Sequence, residues 1–224
     1  MCFSESQSYI HAIVLFVTGI MIKDKWQLSA SLIFLGFKDL LQGLLYHYLG
    51  NKDKLNFYTS LSWIHICFQP LFVNLISAYF DKDNSTYWNR ILFICLIYGI
   101  YASSSIKEFD MTDSEMCIKE NKTDDFCSKE TTSYLGTYHI GYKFNRNSDR
   151  VLPRWWYILL VFIPSIFSNS KIIGILWLFF VGLIEFIFKH TNTGERGAIW
   201  CYISIIFALP VAIFSDKLEL IIKN

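Results

Sequence analysis

The sequence predicts an all-α membrane protein, a bundle of about seven transmembrane helices, and three observations favour this fold class. The chain of 224 residues is 53% hydrophobic and only 17% charged, whereas a soluble domain has about 25% charged residues. Its apolar residues are gathered in blocks close to the length of about 20 residues that a membrane-spanning helix needs. Some of these blocks contain single ionisable residues, which at bilayer depth are typical of a polar interior.

Seven apolar segments are candidate spans, and they leave little chain for a separate soluble domain. We therefore expect a single transmembrane domain over residues 1–224, with one extramembrane loop at about residues 106–153. In chain order the candidate spans are Ser8–Ile22, Trp26–Leu49, Leu55–Phe80, Tyr87–Ser104, Arg154–Phe167, Ile172–Phe188 and Ala198–Phe214.

The charge distribution gives an expected orientation and excludes one class of partner. With the N-terminus and the long loop outside, the inner segments hold more Lys and Arg than the short outer connections, as the positive-inside rule requires. The net charge is only +1, so no electrostatic argument supports binding to nucleic acid. The expected partners are the lipid bilayer and a small solute or ion.

The long polar loop contains features of an oxidising, lumenal or extracellular compartment. Cys117 and Cys127 lie in this loop, and the glycosylation sequon that begins at Asn121 lies between them. We expect a disulfide between the two cysteines and a glycan on Asn121, because both modifications occur in such compartments. The alternative is two free thiols and a chance sequon.

A polar binding site is predicted near the membrane midplane. Asp39 and Gln42 are three residues apart and share one helix face, while His65 and Gln69 share a face at a spacing of four. Ionisable groups at this depth are rarely retained for packing alone. Glu185, slightly nearer the outer face, is the fifth predicted member of this site.

Each member of this site also has a simpler interpretation. The two glutamines could serve as interhelical hydrogen-bonding groups, which contribute only about 0.6–2 kcal/mol per contact. Glu185 is four residues before Lys189, so these two side chains could pair on one helix face. Lys38 directly precedes Asp39 and therefore projects about 100° away from it on a helix.

A second pattern is a set of soft metal ligands toward the predicted outer face. Cys2, His65 and His139 are the candidate ligands of a zinc or copper ion. They lack the close spacing of known metal motifs, and histidines at a membrane interface are common. The alternative is that these residues bind no metal.

Several short motifs occur along most of the chain. They are Met1-Cys2-Phe3-Ser4, Asp39–Gln42, His65–Pro70, Gly136–His139 and Trp200-Cys201. With these motifs the chain resembles a family of uncharacterised multi-pass membrane proteins from bacteria, fungi and large DNA viruses, whose fungal-looking members have Glu in place of Asp39. The resemblance implies the same multi-pass topology in a host or viral membrane. It marks Cys2, Asp39, Gln42, His65, Gln69 and His139 as residues to test, and it implies no mechanism.

Three functional hypotheses follow. The first is a small-solute or ion transporter, or a channel-like protein, in which Asp39 and His65 form the midplane site and the loop around His139 is an outer lid. The second is an intramembrane metal-dependent enzyme of the lipid hydrolase type, with histidine ligands and a carboxylate base. The third is a receptor-like or structural membrane protein. The first two hypotheses need a hydrated cavity that reaches Asp39, whereas the third needs Asp39 sealed against a partner such as Lys38 or a neighbouring backbone.

Overall fold

The computed structural model describes residues 4–104, 131–144 and 154–223, and this part of the chain is a helical bundle with one small β-hairpin. The predicted ligand Cys2, the predicted disulfide between Cys117 and Cys127, and the sequon at Asn121 lie outside the described residues. The metal-ligand role, the disulfide and the glycan therefore stay predictions.

The described chain contains eight α-helices and two strands. In order they are α1 (Glu5–Met21), α2 (Trp26–His47), α3 (Lys52–Phe80), α4 (Ser85–Ser103), β1 (Thr132–Leu135), β2 (Ile140–Lys143), α5 (Arg154–Ile166), α6 (Lys171–Ile187), α7 (Thr193–Ile213) and α8 (Ser215–Lys223). Each of the seven predicted apolar segments is helical, so the mainly α-helical class is confirmed. The hairpin and α8 were not predicted. Within the described residues, α2, α3 and the Gly194–Ile213 part of α7 are long and apolar enough to cross a membrane.

The helix starts follow from local capping groups. Ser4 precedes α1, and its Oγ accepts a hydrogen bond from the backbone N–H of Gln7 at 3.3 Å. Asn51 precedes α3, and its Oδ1 accepts from the backbone N–H of Lys54 at 3.1 Å. Such side chains satisfy N–H groups that have no partner inside the helix, and they fix where the helix begins.

The hairpin end of the bundle contains the start of α1, the end of α2, the start of α3 and the start of α7. Glu5 lies 3.0 Å from His47, which places the N-terminal helix start beside the end of α2. The β-hairpin reaches α3 through a 2.7 Å hydrogen bond between the hydroxyls of Thr59 and Ser133. Its strands pair antiparallel, from Thr132 opposite Lys143 to Leu135 opposite Ile140.

The opposite end, which we call the C-terminal end, is closed by α8. Lys25, between α1 and α2, pairs with Asp216 at 2.6 Å. Lys82, between α3 and α4, pairs with Glu219 at 3.3 Å. Helix α8 thus contacts both the α1–α2 connection and the α3–α4 connection at this end of the bundle.

A buried carboxylate at the C-terminal end joins three chain segments; we call this group the Asp81 joint (Asp81, Asn84, Trp88 and Asn169). Asp81 is 3% exposed. Its oxygens accept hydrogen bonds from the amide of Asn84 at 2.9 and 3.1 Å, from the indole N–H of Trp88 at 3.1 Å, and from the backbone and side-chain nitrogens of Asn169 at 3.3 and 3.1 Å. Every oxygen of this carboxylate therefore has donors.

The interior of the bundle and its exterior are both apolar. Leu28, Val73, Trp177 and Phe207 belong to one buried cluster that connects α2, α3, α6 and α7. The outward faces of α1, α4 and α6 carry large exposed hydrophobic side chains, such as Ile13, Phe93 and Phe179. Soluble monomers rarely expose continuous apolar faces of this kind.

Glycines allow α1 to approach α2 closely. A Cβ atom on Gly43 would lie 2.7 Å from the ring of Tyr9, and one on Gly36 would lie 2.8 Å from the ring of Phe16. These rings therefore occupy the space that a larger residue on α2 would need. The close contact fixes the face that α2 turns toward α3 and α7, and that face carries the candidate site.

Candidate functional site

Four residues of α2 and α3 form the centre of the candidate site; we call them the Asp39 cluster (Lys38, Asp39, Gln42 and His65). Asp39 is 1% exposed, and its Oδ1 has no hydrogen-bond partner in the described part of the chain. Gln42 is also buried and donates from Nε2 to the carbonyl of Ala198 at 3.1 Å and to the hydroxyl of Tyr142 at 3.3 Å. Its own Oε1 has no partner there.

Lys38 is fully buried beside Asp39. Its ammonium donates a hydrogen bond to the hydroxyl of Tyr142 at 2.7 Å, and Tyr142 comes from strand β2 of the hairpin. A charged residue at such a position is costly unless polar groups surround it. Lys38 was not predicted to belong to the site, because on a helix it projects about 100° away from the face of Asp39. The hairpin brings the hydroxyl of Tyr142 to the helix face that carries Lys38, so the lysine has a polar partner there.

His65 fastens α3 to α2 and keeps one ring nitrogen available. Its Nε2–H donates to the carbonyl of Phe34 at 2.7 Å, and its ring stacks on the Phe34 ring with centroids 3.8 Å apart. The donor role of Nε2 leaves Nδ1 as an acceptor in the neutral ring. Nδ1 is buried without a partner among the described residues.

Gln69 lies one turn further along α3 and faces another helix. Its Oε1 accepts a short hydrogen bond from the hydroxyl of Tyr157 in α5. His65 and Gln69 lie on one face of α3, as their spacing predicted. However, His65 contacts α2, whereas Gln69 contacts α5. Gln69 therefore connects the Asp39 cluster to a cavity on the side of the C-terminal end.

This cavity lies between α2, α3, α6 and α7. Its walls are mostly aromatic and aliphatic, with a few polar groups: Ser31, Phe34, Leu35, Gln69, Phe72, Val73, Ile76, Trp177 and Trp200. Leu35 in its wall is one helical turn from Asp39, and Phe34 stacks against both His65 and Phe72. The cavity thus begins about one turn below the Asp39 cluster, and Asp39 is not part of its lining.

The hairpin tip wraps around a buried carboxylate of α7. Glu195 is buried, and its Oε1 accepts hydrogen bonds from the backbone N–H groups of Tyr138 and His139, the latter at 2.9 Å. A Cβ on Gly136 would lie only 2.4 Å from the carboxyl carbon of Glu195. The Gly136–His139 motif is therefore the loop that holds Glu195. Sequence reasoning missed Glu195, and the glycine and histidine of that motif were the available signal.

His139 is a buried, neutral histidine at the base of this tip. Its Nδ1 accepts a hydrogen bond from the backbone N–H of Ile140 at 2.6 Å, and the hydroxyl of Tyr46 lies 3.5 Å from the same atom. Burial, and secondly the nearby charge of Lys38, lowers the pKa of His139 to about 3. The ring therefore carries its single proton on Nε2 at neutral pH.

Glu185 is placed differently from the rest of the predicted site. Its side chain is 56% exposed and pairs with Arg196 of α7 at 3.1 Å. Lys189, the alternative partner, lies over the ring of Phe186 instead. The structure therefore brings Glu185 to an ion pair between α6 and α7 and not into the buried Asp39 cluster.

The predicted metal ligands are not brought together among the described residues. No group of three or more His, Cys, Asp and Glu side chains there has the arrangement needed for a metal ion. His65 uses Nε2 on a backbone carbonyl, and His139 uses Nδ1 on a backbone N–H. Since Cys2 lies outside the described residues, a zinc or copper site that includes it stays a prediction.

Comparison with known proteins gives a family and no activity. No curated protein and no solved structure matches the chain. A family model described as "Family of unknown function (DUF5765)" matches residues 8–219, which include every helix start from α2 onward and the whole hairpin. This match agrees with the resemblance to an uncharacterised family. The chain therefore belongs to DUF5765, a family of unknown function.

Proposed function

We propose that the protein is an integral, multi-pass membrane protein that transports a small solute or ion, and that Asp39 carries a proton in this process. The observation that carries the proposal is the buried carboxylate of Asp39. It lies inside a helix long enough to cross a membrane, and its Oδ1 has no partner in the described part of the chain. Unsatisfied buried carboxylates are rare and expensive, and in membranes they mark ion or proton pathways.

The apolar exterior supports the membrane assignment. Hydrophobic side chains on the outward faces of α1, α4 and α6 would contact lipid, while α2, α3 and α7 fill the centre. Helices α1 to α7 would then be the seven spans, running alternately between the hairpin end and the C-terminal end. In the orientation that the positive-inside rule favours, the hairpin and the N-terminus lie outside.

The unpartnered atoms of the site are all acceptors, and this supports a proton as the transported or coupled ion. Oε1 of Gln42 and Nδ1 of His65 lack donors just as Oδ1 of Asp39 does. The contact between His65 and Phe34 brings α3 against α2, and Asp39 is about 7.5 Å of helix rise beyond Phe34. A proton on Asp39 would give one of these three unpartnered acceptor groups a hydrogen to donate, which is what a proton-carrying carboxyl needs.

Polar groups lead away from Asp39 in both directions. Toward the hairpin end, Gln42 donates to the hydroxyl of Tyr142, the hydroxyl of Tyr46 lies 3.5 Å from Nδ1 of His139, and the backbone N–H of His139 donates to Glu195. His65 and Gln69 lead toward the cavity. Since Asp39 is buried, the described conformation is closed, and movement of the hairpin would open the site outward. The hairpin tip around His139 would be the outer lid.

Proton flux in proteoliposomes tests the proposal. A pH-sensitive dye inside the vesicles reports acidification after an imposed potential, and Asp39→Asn is expected to abolish the protein-dependent flux. His65→Ala is expected to reduce it strongly. Asp53→Asn is the matched control, because Asp53 is an exposed residue in the first turn of α3 and loses the same charge.

Folding of each variant is checked by its melting temperature in detergent. Normal flux in both folded site variants would contradict the proposal. If wild-type protein shows no flux, and Asp39→Asn and His65→Ala alter only its stability, the structural hypothesis would take its place.

A further inference from the structure

We infer that Gln42 is the positioning residue for the proton on Asp39: in the closed conformation the protonated carboxyl of Asp39 donates a hydrogen bond to Oε1 of Gln42. The inference rests on the proposed function and deepens it, because it names the group that holds the proton-carrying carboxyl. It begins with two acceptors. Oδ1 of Asp39 and Oε1 of Gln42 are both buried, and neither has a hydrogen-bond partner in the described part of the chain.

Helix α2 places these two side chains within reach of each other. Asp39 and Gln42 are three residues apart in α2, and residues at this spacing are neighbours on a helix surface, with Cβ atoms about 5–6 Å apart. Asp39 is 1% exposed and Gln42 is fully buried. A protonated carboxyl has one O–H donor. A single hydrogen on Asp39 would therefore satisfy both acceptors.

The orientation of the Gln42 amide is fixed before a proton arrives. Its Nε2 donates to the backbone carbonyl of Ala198 in α7 at 3.1 Å. A carbonyl oxygen only accepts, so the NH₂ group must face α7 and Oε1 is the side of the amide that can accept. The same Nε2 lies 3.3 Å from the hydroxyl of Tyr142 in the hairpin. Helix α7 and the hairpin thus hold Oε1 in place.

The neighbouring donors are used elsewhere or make no bond to these acceptors. The ammonium of Lys38 donates to the hydroxyl of Tyr142 and not to Oδ1 of Asp39. Nε2 of His65 contacts a backbone carbonyl of α2. The hydroxyl of Ser62 on α3 is buried and makes no hydrogen bond within the described residues. The hydrogen that both acceptors lack is therefore best supplied by Asp39 itself.

A bridging water molecule is the rival donor, since it could give one hydrogen to each acceptor. Such a water would leave Asp39 ionised, and burying an ionised carboxylate costs more free energy than burying the neutral acid. Neither Asp39 nor Gln42 lines the cavity described above. The ammonium of Lys38 acts in the opposite direction, because it attracts a negative charge. The protonation state of Asp39 is therefore the quantity to measure.

Release of the proton would act on the hairpin through Gln42. The O–H bond of Asp39 breaks, the proton leaves, and the electron pair stays on the carboxylate. The carboxylate and Oε1 of Gln42 then repel each other without a hydrogen between them. Because Gln42 also bonds Tyr142, this repulsion would weaken the attachment of the hairpin to α2.

Infrared difference spectroscopy of the full chain in detergent tests the inference. A protonated carboxyl has a C=O stretch separate from the carboxylate bands, and a hydrogen bond donated by its hydroxyl lowers the wavenumber of that stretch. The spectrum of wild-type protein minus that of Asp39→Asn isolates the band of Asp39, which we expect at neutral pH. In Gln42→Leu, with Gln42→Leu/Asp39→Asn as its reference, the band should move to higher wavenumber or disappear.

Two further variants keep this test sharp. Gln42→Met is the second test substitution if Gln42→Leu does not fold, because its unbranched side chain resembles that of glutamine in shape and its thioether is only a weak acceptor. Gln69→Leu is the matched control. Gln69 is also a buried glutamine, but its Oε1 accepts from Tyr157 of α5. This variant should lose stability and leave the Asp39 band in place.

Two outcomes would overturn the inference. One is a folded wild-type protein whose spectrum contains no protonated carboxyl band that Asp39→Asn removes, which would mean an ionised Asp39. The other is a band at the same wavenumber in wild type, Gln42→Leu and Gln42→Met, which would mean that the carboxyl donates to another acceptor, such as Nδ1 of His65. Because the band is measured without flux, a failed proton assay and a failed Gln42 assignment are distinguishable.

Discussion

The molecule contains two buried aspartates in very different surroundings. Asp81 at the C-terminal end is 3% exposed and accepts hydrogen bonds from Asn84, Trp88 and Asn169. Asp39 is 1% exposed, and its Oδ1 has no donor in the described part of the chain. A satisfied carboxylate stabilises the fold, whereas an unsatisfied one reduces stability and is kept for another reason. The comparison therefore indicates a structural role for Asp81 and is consistent with the role proposed for Asp39.

Paired substitutions of the two aspartates should give the largest difference. Asp81→Asn places an amide NH₂ where either oxygen now accepts, so donors would face donors, and we expect a loss of about 3 kcal/mol in the free energy of unfolding. Asp39→Asn should change that free energy by less than about 1 kcal/mol, because its amide can donate to a neighbouring acceptor. Unfolding titrations in mixed micelles measure both. Equal losses would assign Asp39 a structural role like that of Asp81.

The next effect concerns the hairpin that covers the Asp39 cluster. Gly136→Ala would place a methyl group 2.4 Å from the carboxyl carbon of Glu195 and 2.5 Å from the carbonyl oxygen of His139. We expect this overpacking to weaken hairpin docking by about 2 kcal/mol. Hydrogen exchange of the β2 amides measures the docking, and faster exchange is the expected result.

Gly182→Ala is the control for this substitution. A Cβ on Gly182 has no atom within 4 Å, and the residue lies inside α6. Alanine there should stabilise the helix by about 0.5–1 kcal/mol and leave exchange in the hairpin unchanged. Unchanged hairpin exchange in Gly136→Ala would show that the tip relaxes easily and does not clamp Glu195.

The smallest effect is a pH dependence of hairpin docking. Burial, together with Lys38, lowers the pKa of His139 to about 3, below its ordinary value of about 6.5. Between these values the undocked hairpin binds the proton more readily, so docking weakens as pH falls. From pH 7 to pH 5.5 the expected loss is about 1 kcal/mol.

Exchange of the β2 amides at the two pH values measures this loss, and His139→Gln should remove the part that depends on His139. Lys38 on α2 and Glu195 on α7 are the charged groups nearest to this histidine along the described contacts. Exchange that becomes slower on acidification would show that the docked hairpin prefers the protonated ring.

Helix positions were predictable because apolar blocks of helix length are a local property of the chain. All seven predicted segments are helical, and most bounds agree within a few residues; only α7 starts several residues early. The hairpin was missed because its strands are short and lie in a polar loop whose order depends on contacts with α2, α3 and α7. Glu195 was missed for the same reason, because its hydrogen-bond donors come from the hairpin tip, which is distant in the sequence.

The candidate site was predictable in part. By spacing, Asp39 shares a helix face with Gln42, and His65 shares one with Gln69; the structure places all four side chains in the buried interior of the bundle. Lys38 was left out because helix geometry alone points it away, yet the hairpin hydroxyl of Tyr142 brings it into the same polar region. Glu185 was included in the predicted site by its charge and position alone. Its side chain pairs with Arg196 of α7 and lies outside the buried Asp39 cluster.

The sequence by itself determined that this chain forms apolar helices with a few ionisable residues inside them, because composition and periodicity act over neighbouring residues. Only the tertiary structure decided which of those residues have partners. The free energy of a buried carboxylate or indole depends on groups that come from distant parts of the chain. Asp39 and Asp81 are both acids in or beside apolar helices, and what distinguishes them is that Asn84, Trp88 and Asn169 bring donors to Asp81.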